Sequence, residues 1–244
     1  RGLDPLNGTN ANGANGNLVT GCDVYSNTQH GVYVNFSGGN RISRTRLRQN
    51  KGTGAYLRGA VFNTLENTVS HQNAVDGLCV DSTVPSISGD AAFVNCAFHA
   101  NGRRGVNYEY WSYGNAADCV ISDNPQGVYL KQKGINWMNA TNCCWHGNAT
   151  NVFADINFTK ISYNTPAELN ALAGWTNSIV ANPLFRDAAC GDFRIAPVSP
   201  CIDAGSAAAA YPLDLYGGKR LVGTAVDIGP YERQLPGGTV LCVR

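Results

Sequence analysis

Two acidic side chains, Asp81 and Glu109, follow equivalent points in two copies of a short sequence repeat. If consecutive copies lie in register on neighbouring parallel strands, about 4.8 Å separates the strands and the two carboxyl groups become neighbours on one face. Two like charges at that distance move their pKa values apart, so that one carboxyl group acts as a proton donor and the other as a base. A separation of about 5 Å is also that of the paired carboxyl groups in retaining glycosidases. The pair therefore predicts acid–base cleavage of a glycosidic bond.

The repeat that would position these acids is Asn, three residues, Gly, and then an apolar–any–apolar triplet. Its copies begin at Asn27, Asn50, Asn73, Asn101 and, in a form one residue shorter, Asn124. A fixed period of this size is typical of a solenoid, and alternation of apolar residues belongs to strands. No segment before about residue 160 has helical periodicity. The sequence predicts an all-β fold, a single-stranded right-handed parallel β-helix of about six to seven coils.

We expect residues 1–155 to form the coils and residues 156–244 to form a capping region packed on the last coils, within one structural domain. In that region Thr165 as N-cap, Pro166 at the first helical position and Gly174 as the stop predict one short helix.

Several repeated residues predict how the coils are held together. The Gly of each repeat is expected to supply backbone freedom where a strand starts, and His71, His99 and His146 are interpreted as corner residues. The repeated Asn tolerates left-handed backbone, and its amide can bond a neighbouring turn. The expected Asn ladder consists of Asn27, Asn50, Asn73, Asn101, Asn124 and Asn148.

The nine cysteines are interpreted mainly as small apolar residues. Those at one repeated position, expected to stack inside the coils, are Cys22, Cys96, Cys119 and either Cys143 or Cys144. Three cysteines lie outside the coils and allow one disulfide in an oxidising compartment, with the pairing left open. They are Cys190, Cys201 and Cys242.

The strand after each Gly has outward positions that form columns across the coils. Asp76 and Arg104, just before the Gly of their repeats, join Asp81 and Glu109 as candidate catalytic residues. Loops at 82–90 and 109–113 would form the walls of a groove over the acids. The alternative interpretation is a solvated ladder of charges that holds the sheet together. The candidate substrate-binding residues are Arg58, Lys131, Tyr33, Tyr56, Tyr129, Trp111, Asn107 and His30.

Composition excludes several other functions. With a net charge of +1 and 14% charged residues, the chain has little attraction for nucleic acid, and no apolar run is long enough to span a membrane. We expect a monomer. We also expect a piece of a longer precursor, since the chain starts at Arg1 without a signal peptide. No cofactor is predicted. Calcium is conceivable through Asp76, Asp81 and Asp90, but the chain has no dedicated calcium loop and no metal is assigned.

The C-terminal phrases PLF (183–185), GDFRI (191–195), SPCIDAG (199–205) and DIGPYE (227–232) carry a resemblance. They resemble the C-terminal region of bacterial secreted or surface right-handed β-helix proteins of the pectate-lyase-like superfamily. The resemblance implies a secreted or cell-surface location and a carbohydrate-active context. It marks the fold and not a catalytic motif, so the acids of this region are interpreted as capping and turn residues.

A second, shorter resemblance concerns residues 73–78. Their sequence NAVDGL is similar to a phrase of polygalacturonase-like glycoside hydrolases in which the aspartate, here Asp76, is catalytic. That family also needs a pair of aspartates one coil later, where this chain has Arg103 and Arg104. The departure argues against that hydrolytic mechanism. An arginine beside acids on this fold looks more like a polysaccharide lyase, although arginine is a poor base.

The sequence thus predicts a carbohydrate-active enzyme that cleaves glycosidic bonds of a polysaccharide, by hydrolysis or by elimination. The alternative is a non-catalytic carbohydrate-binding or adhesin-like β-helix module of a larger surface protein. In both, the expected partner is a polysaccharide or oligosaccharide.

Overall fold

A computed structural model describes residues 15–82, 89–131 and 138–234 of the chain. The strands are β1 (Leu18–Thr20), β2 (Asp23–Tyr25), β3 (Val32–Asn35), β4 (Arg41–Ser43), β5 (Arg46–Arg48), β6 (Ala55–Arg58), β7 (Asn63–Glu66), β8 (Val69–His71), β9 (Asp76–Ser82), β10 (Gly89–Val94), β11 (Ala97–His99), β12 (Arg104–Tyr110), β13 (Ser112–Ala117), β14 (Val120–Ser122), β15 (Gln126–Lys131), β16 (Met138–Thr141), β17 (Cys144–His146), β18 (Thr150–Ile156), β19 (Thr159–Tyr163), β20 (Trp175–Thr176), β21 (Ile179–Val180), β22 (Phe185–Asp187) and β23 (Asp192–Ile195).

Strands β1 to β21 form three long sheets, to each of which a full coil contributes one strand, and β22 pairs with β23 in a separate two-stranded sheet. Sheet A has the order β1-β4-β7-β10-β13-β16-β20, sheet B the order β2-β5-β8-β11-β14-β17-β21, and sheet C the order β3-β6-β9-β12-β15-β18-β19. Pairing is parallel from coil to coil, except that β19 runs antiparallel to β18. The predicted fold class, an all-β parallel solenoid with one short helix, is confirmed.

The predicted asparagine ladder is confirmed at the corner between sheets B and C. The left-handed conformation there belongs to the residue before each asparagine, such as Ser26 (φ 55°) or Gln72 (φ 54°). The asparagine therefore contributes hydrogen bonds and not an unusual backbone conformation. Each Nδ2 donates to the next Oδ1 over 2.8–3.2 Å in the pairs Asn27–Asn50, Asn50–Asn73, Asn73–Asn101, Asn101–Asn124 and Asn124–Asn148.

The glycine at the start of each sheet C strand is needed for close packing, and not for the backbone freedom expected from the sequence. Gly77 has no positive φ, but a Cβ atom on it would lie 2.6 Å from the carbonyl oxygen of Gly105 and 2.8 Å from Nδ2 of Asn101. Neighbouring coils thus approach too closely at this column for any side chain.

Alternate residues of the strands fill the interior. Cys96, Cys119 and Cys143 stack inside as predicted, whereas Cys22 is exposed, because no described strand covers it on the outer side of the first coil. The first and third residues of the triplet after each repeat glycine are buried in the core: Val32, Val34, Ala55, Leu57, Leu78, Val80, Val106, Tyr108, Val128 and Leu130.

Helix α1 (Pro166–Asn170) begins as predicted and ends earlier than predicted. Oγ1 of Thr165 accepts a hydrogen bond from the backbone N–H of Glu168, whose Oε2 accepts one from the N–H of Thr165, so the two form a capping box. The helix stops at Asn170 and not at Gly174, because the chain turns back there to add β20 to sheet A. No helix among the described residues has the length and apolar character needed to cross a membrane.

From residue 182 the chain lies along the outer face of sheet B. Phe193 and Tyr231 of this tail pack in one apolar cluster with Val69 and Val120 of sheet B. His71, interpreted from the sequence as a corner residue, lies in β8 beneath the tail instead, with its ring 5.0 Å from that of Phe193. The tail thus covers the outer face of sheet B.

The tail's acids are turn and loop acceptors, as the sequence indicated. Each accepts a hydrogen bond from a backbone N–H, the set being Asp187, Asp192, Asp203, Asp214, Asp227 and Glu232. The question of a tail disulfide stays open: Cys190 and Cys201 are free thiols, and Cys242 lies outside the described residues.

Candidate functional site

The outer face of sheet C brings the candidate residues together in the predicted register. Asp81 pairs with Glu109, and Glu109 pairs with Lys131. Arg58 lies in the same column one coil before Asp81, and Arg104 pairs with Asp76 in the column just before the glycines. Because every sheet C strand starts at the same position of the repeat, equivalent residues of successive coils become direct neighbours.

Asp81 is held by Tyr56 from the preceding coil. The Tyr56 hydroxyl donates to Oδ2 of Asp81 over 2.5 Å, while Oδ1 of Asp81 is buried without a hydrogen-bond partner among the described residues. Burial, together with this hydrogen bond to Asp81, raises the pKa of Tyr56 far above its ordinary value. Tyr56 therefore stays protonated and acts as a hydrogen-bond donor, while the second oxygen of Asp81 has no partner among the described residues.

Glu109 has a different set of partners. Its Oε1 accepts from Nη1 of Arg104 at 3.3 Å and from Nδ2 of Asn107 at 3.2 Å, and its Oε2 lies 3.3 Å from Nζ of Lys131. Two cations and one amide thus surround this carboxylate. Neighbouring carboxyl groups with such unequal surroundings are suited to different roles in one reaction.

Asp76 lies below this surface in a buried ion pair that the sequence did not predict. It is fully buried, and Arg103 donates to it twice, from Nε at 3.0 Å and from Nη2 at 2.6 Å. Asn107, also fully buried, donates to the same carboxylate at 3.0 Å. Asp76 and Asn107 are therefore positioned to support Glu109, and neither offers the open surface that a direct contact with substrate requires. The one available signal for Arg103 was its place beside Arg104, in a turn next to the coil of Asp76.

Arg104 acts as a positioning cation. Its Nε donates to Oε1 of Gln126 at 3.0 Å, and its guanidinium carbon lies 3.6 Å from the ring centre of Tyr129. Phe153 stacks on Tyr129 with ring centres 5.8 Å apart. Tyr129 thus serves as a support for Arg104, and it does not present the open ring face expected of a sugar-binding residue.

Three aromatic rings lie at the other end of the face, in earlier coils. His30 stacks on Tyr56 with ring centres 4.7 Å apart, and Tyr33 lies 5.6 Å from Tyr56. Nδ1 of His30 accepts a hydrogen bond from the backbone N–H of Thr53, and burial lowers the pKa of His30 although Asp76 opposes the shift. His30 therefore belongs to the aromatic end of the face and not to the carboxylate pair.

Two loops, 82–90 and 109–113, are expected from the sequence to form the walls of the groove. Residues 83–88 of the first predicted loop lie outside the described residues. The second predicted loop, 109–113, is wrong, since β12 runs to Tyr110 and β13 starts at Ser112 with Trp111 alone between them. Trp111 is half-buried at that corner, and Lys131 lies over the ring of Tyr110 at 4.6 Å. The residues of this segment extend the two strands, so that no separate loop forms there.

Acidic residues do not gather into a metal site in the ranges that the structure describes. No group of three or more His, Cys, Asp or Glu side chains there is arranged to hold a metal ion. Of the three aspartates considered for calcium, Asp76 has its carboxylate taken up by Arg103, and Asp90 lies in β10 of sheet A.

This fold has known counterparts. The family model described as the right handed beta helix region matches residues 5–150. Among solved structures, pectate lyase Pel9A matches 90% of this chain and 66% of its own chain, with 14% identity and a TM-score of 0.55. The periplasmic alginate epimerase AlgG matches 57% of this chain and 40% of its own, with 19% identity and a TM-score of 0.35.

A search of curated protein sequences finds no match. The chain spans just under two thirds of the length of the pectate lyase, and at 14% identity the likeness concerns the fold. The family model covers more than half of the chain, in agreement with the parallel coils of sheets A, B and C. The protein therefore belongs to the right-handed β-helix family and has a pectate-lyase-like fold.

Proposed function

We propose that the protein binds a polysaccharide along the outer face of sheet C and cleaves its glycosidic bonds, with Asp81 and Glu109 as the reacting carboxyl groups. The observation that carries the proposal is that these two carboxyl groups lie on adjacent strands in very different surroundings. Asp81 keeps one buried oxygen without a partner, while Glu109, its direct neighbour in the register, is surrounded by Arg104, Asn107 and Lys131.

The composition of the face favours a sugar polymer as ligand. The column continues over successive coils, so an extended chain can follow it. One buried oxygen, Oδ1 of Asp81, has no hydrogen-bond donor among the described residues. Leaving such an atom unsatisfied costs about 1–3 kcal/mol, and a ligand hydroxyl group would remove that cost. The rings of Tyr33 and Tyr56 supply apolar surface beside this acceptor.

The cations of the face favour an acidic polymer. Arg103 and Lys131 have side chains that are 50% and 40% exposed, so both remain accessible to a ligand. Guanidinium and ammonium groups bind carboxylates through charge-assisted hydrogen bonds. We therefore expect sugars that carry carboxylate groups to bind better than neutral ones, and a protein with such a substrate to be secreted or on the cell surface.

Two reaction routes fit these residues. In hydrolysis one carboxyl group protonates the leaving glycosidic oxygen, while the other attacks the anomeric carbon or activates water. In elimination a base removes the proton next to the uronate carboxylate, the glycosidic oxygen leaves with its electron pair and takes up a proton, and a carbon–carbon double bond forms. Asp81 has the unpaired oxygen for proton transfer in either route, and Tyr56 holds the other oxygen by donating a hydrogen bond to it.

A second candidate is non-catalytic binding of the same polymer. One observation favours it: the carboxylates of Asp76 and Glu109 already have cationic partners inside the protein. Charged residues whose only role is to hold the strands of sheet C together would form the same ion pairs.

The test is a screen of acidic and neutral polysaccharides that follows reducing ends and the ultraviolet absorbance of unsaturated products in parallel. Reducing ends alone mean hydrolysis, and both signals mean elimination. Asp81→Asn and Glu109→Gln should each lower turnover by about 10²- to 10⁴-fold. Asp155→Asn is the matched control, since Asp155 lies in the same column beyond Lys131. Binding without either product, or full turnover in both site variants, would overturn the proposal.

A further inference from the structure

A second polar cleft lies between the outer face of sheet B and the tail, on a different side of the solenoid from sheet C. Its volume is about 410 Å³, which is within the range of sites for small molecules. Arg46, Arg48 and His71 line it from sheet B, and Gly191 and Tyr216 line it from the tail. This cleft exists because the tail folds back over β5 and β8.

His71 is a buried residue of the cleft lining. It is 2% exposed, and neither ring nitrogen has a hydrogen-bond partner among the described residues. Burial, with the neighbouring His99 and Arg48, lowers the pKa of His71 to about 4. A neutral imidazole has one N–H donor and one acceptor, and leaving either buried and unpaired is unfavourable. A polar ligand that supplied a partner for either ring nitrogen would remove this cost.

Arg46 supplies a positive charge to the cleft, whose lining also includes the Asp23 carboxylate. Its Nη2 donates to the Tyr231 hydroxyl at 3.0 Å and its guanidinium lies over the Tyr216 ring at 4.8 Å, while its Nε is buried and unpaired in the described part of the chain. No carboxylate of the described residues forms an ion pair with it. By contrast Arg48 donates to Asp23 from Nε at 2.9 Å and from Nη2 at 2.8 Å.

We propose that this cleft binds a sugar acid, whose carboxylate takes donors from Arg46 and His71. The cleft is much larger than an inorganic oxyanion needs, and the rest of its lining suits hydroxyl groups. Gln49 and Gln72 bring side-chain amides, and Tyr216, 55% exposed, offers an apolar ring face. The site is independent of the carboxylates on sheet C, so it can bind whether or not they are catalytic.

The test is calorimetry with D-galacturonate, with neutral D-galactose and with sodium sulfate. We expect galacturonate to bind, galactose to bind at least tenfold more weakly, and sulfate to compete only weakly. Arg46→Gln should weaken galacturonate binding at least tenfold. Arg44→Gln is the matched control, because Arg44 does not line the cleft, and it should keep the wild-type affinity. Arg46→Gln should leave polysaccharide turnover unchanged, which separates this site from the proposed catalytic face.

A second measurement on the unmodified protein guards against a folding defect in Arg46→Gln. Bound galacturonate should raise the pKa of His71, followed by NMR of its ring, since a nearby negative charge stabilises the imidazolium. Galactose should leave it unchanged. Sulfate binding as tightly as galacturonate would mean an inorganic oxyanion site and would overturn the proposal, as would unchanged His71 titration or full affinity in Arg46→Gln.

Discussion

The hydroxyl group of Tyr56 donates a hydrogen bond to Oδ2 of Asp81 from the neighbouring coil, and Oδ1 of the same carboxylate has no partner in the described residues. One oxygen is thus fixed and the other is available. A carboxyl group held in this way keeps its orientation without losing its capacity to exchange a proton with a ligand.

Tyr56→Phe tests this orientation. Because a misplaced reacting group can cost about 100-fold in rate, we expect kcat on the polysaccharide found in the screen to fall by about that factor, with KM nearly unchanged. Steady-state kinetics at saturating substrate measures both. Tyr33→Phe is the control, since Tyr33 occupies the same column one coil earlier and contacts the ring of Tyr56 but not Asp81. Equal losses in the two variants would contradict a specific role of the Tyr56 hydroxyl.

The Asp76–Arg103 pair predicts an energetic coupling. Arg103→Gln leaves the buried carboxylate of Asp76 with only Asn107 as a described donor. We expect the free energy of unfolding to fall by about 2 kcal/mol, less than the 3–5 kcal/mol of fully buried pairs, because the Arg103 side chain is half-exposed. Urea denaturation measures it. Asp76→Asn combined with Arg103→Gln should lose less than the sum of the two single losses, and strict additivity would show that the pair is not coupled.

The asparagine ladder should be strongest in its middle. The amide of Asn73 donates to the backbone oxygen of Leu47, to Oγ of Ser70 and to Oδ1 of Asn101, all within 3.1 Å. Asn73→Ala should therefore lower the free energy of unfolding by about 3 kcal/mol, while Asn27→Ala at the end of the ladder should lower it by about 1 kcal/mol. Guanidinium denaturation of both variants checks this difference, and similar losses at the two positions would count against it.

His71 predicts that the fold weakens in acid. Its pKa is about 4 in the folded protein and about 6.5 in the unfolded chain, so the unfolded chain takes up the proton first as the pH falls. The contribution is fully present above pH 6.5 and is lost as the pH falls towards 4. At about 1.4 kcal/mol per pKa unit it amounts to about 3 kcal/mol at most. Denaturant midpoints between pH 7 and pH 4 should fall less steeply for His71→Gln, and an unchanged slope would refute the prediction.

The fold could be predicted because the chain repeats. Asn and Gly recur at fixed positions of the repeat, so each sheet C strand starts at the same repeat position. Counting residues from that start gives the neighbours of Asp81 and Glu109 on adjacent strands. The inward and outward positions follow in the same way, since side chains alternate along a strand.

The contacts of individual side chains could not be predicted in this way. The repeat register places Arg104 beside Asp76, as observed. The arginine that donates hydrogen bonds to Asp76 is Arg103, which comes before the strand and so lies outside the register. Counting also could not show that Arg104 would cover Tyr129. These details depend on rotamers and on burial, which a repeat pattern does not contain.

The tail was the least predictable part, because it has no repeat. Nothing in the sequence relates Arg46 to Tyr231, which are 185 residues apart. His71 and His99 were interpreted as corner residues for the same reason, since the segment that buries them against Phe193 comes about a hundred residues later.

In a solenoid whose units contact only their neighbours, coils can unravel one at a time from either end. Here the tail connects distant coils by hydrogen bonds. Tyr231 accepts one from Arg46 in an early coil, and Ser206 donates one to Asp118 in a later coil. Fraying of the early coils must therefore also detach the far end of the chain. Melting is then expected to be concerted, with residues of the first and last coils losing amide-exchange protection together.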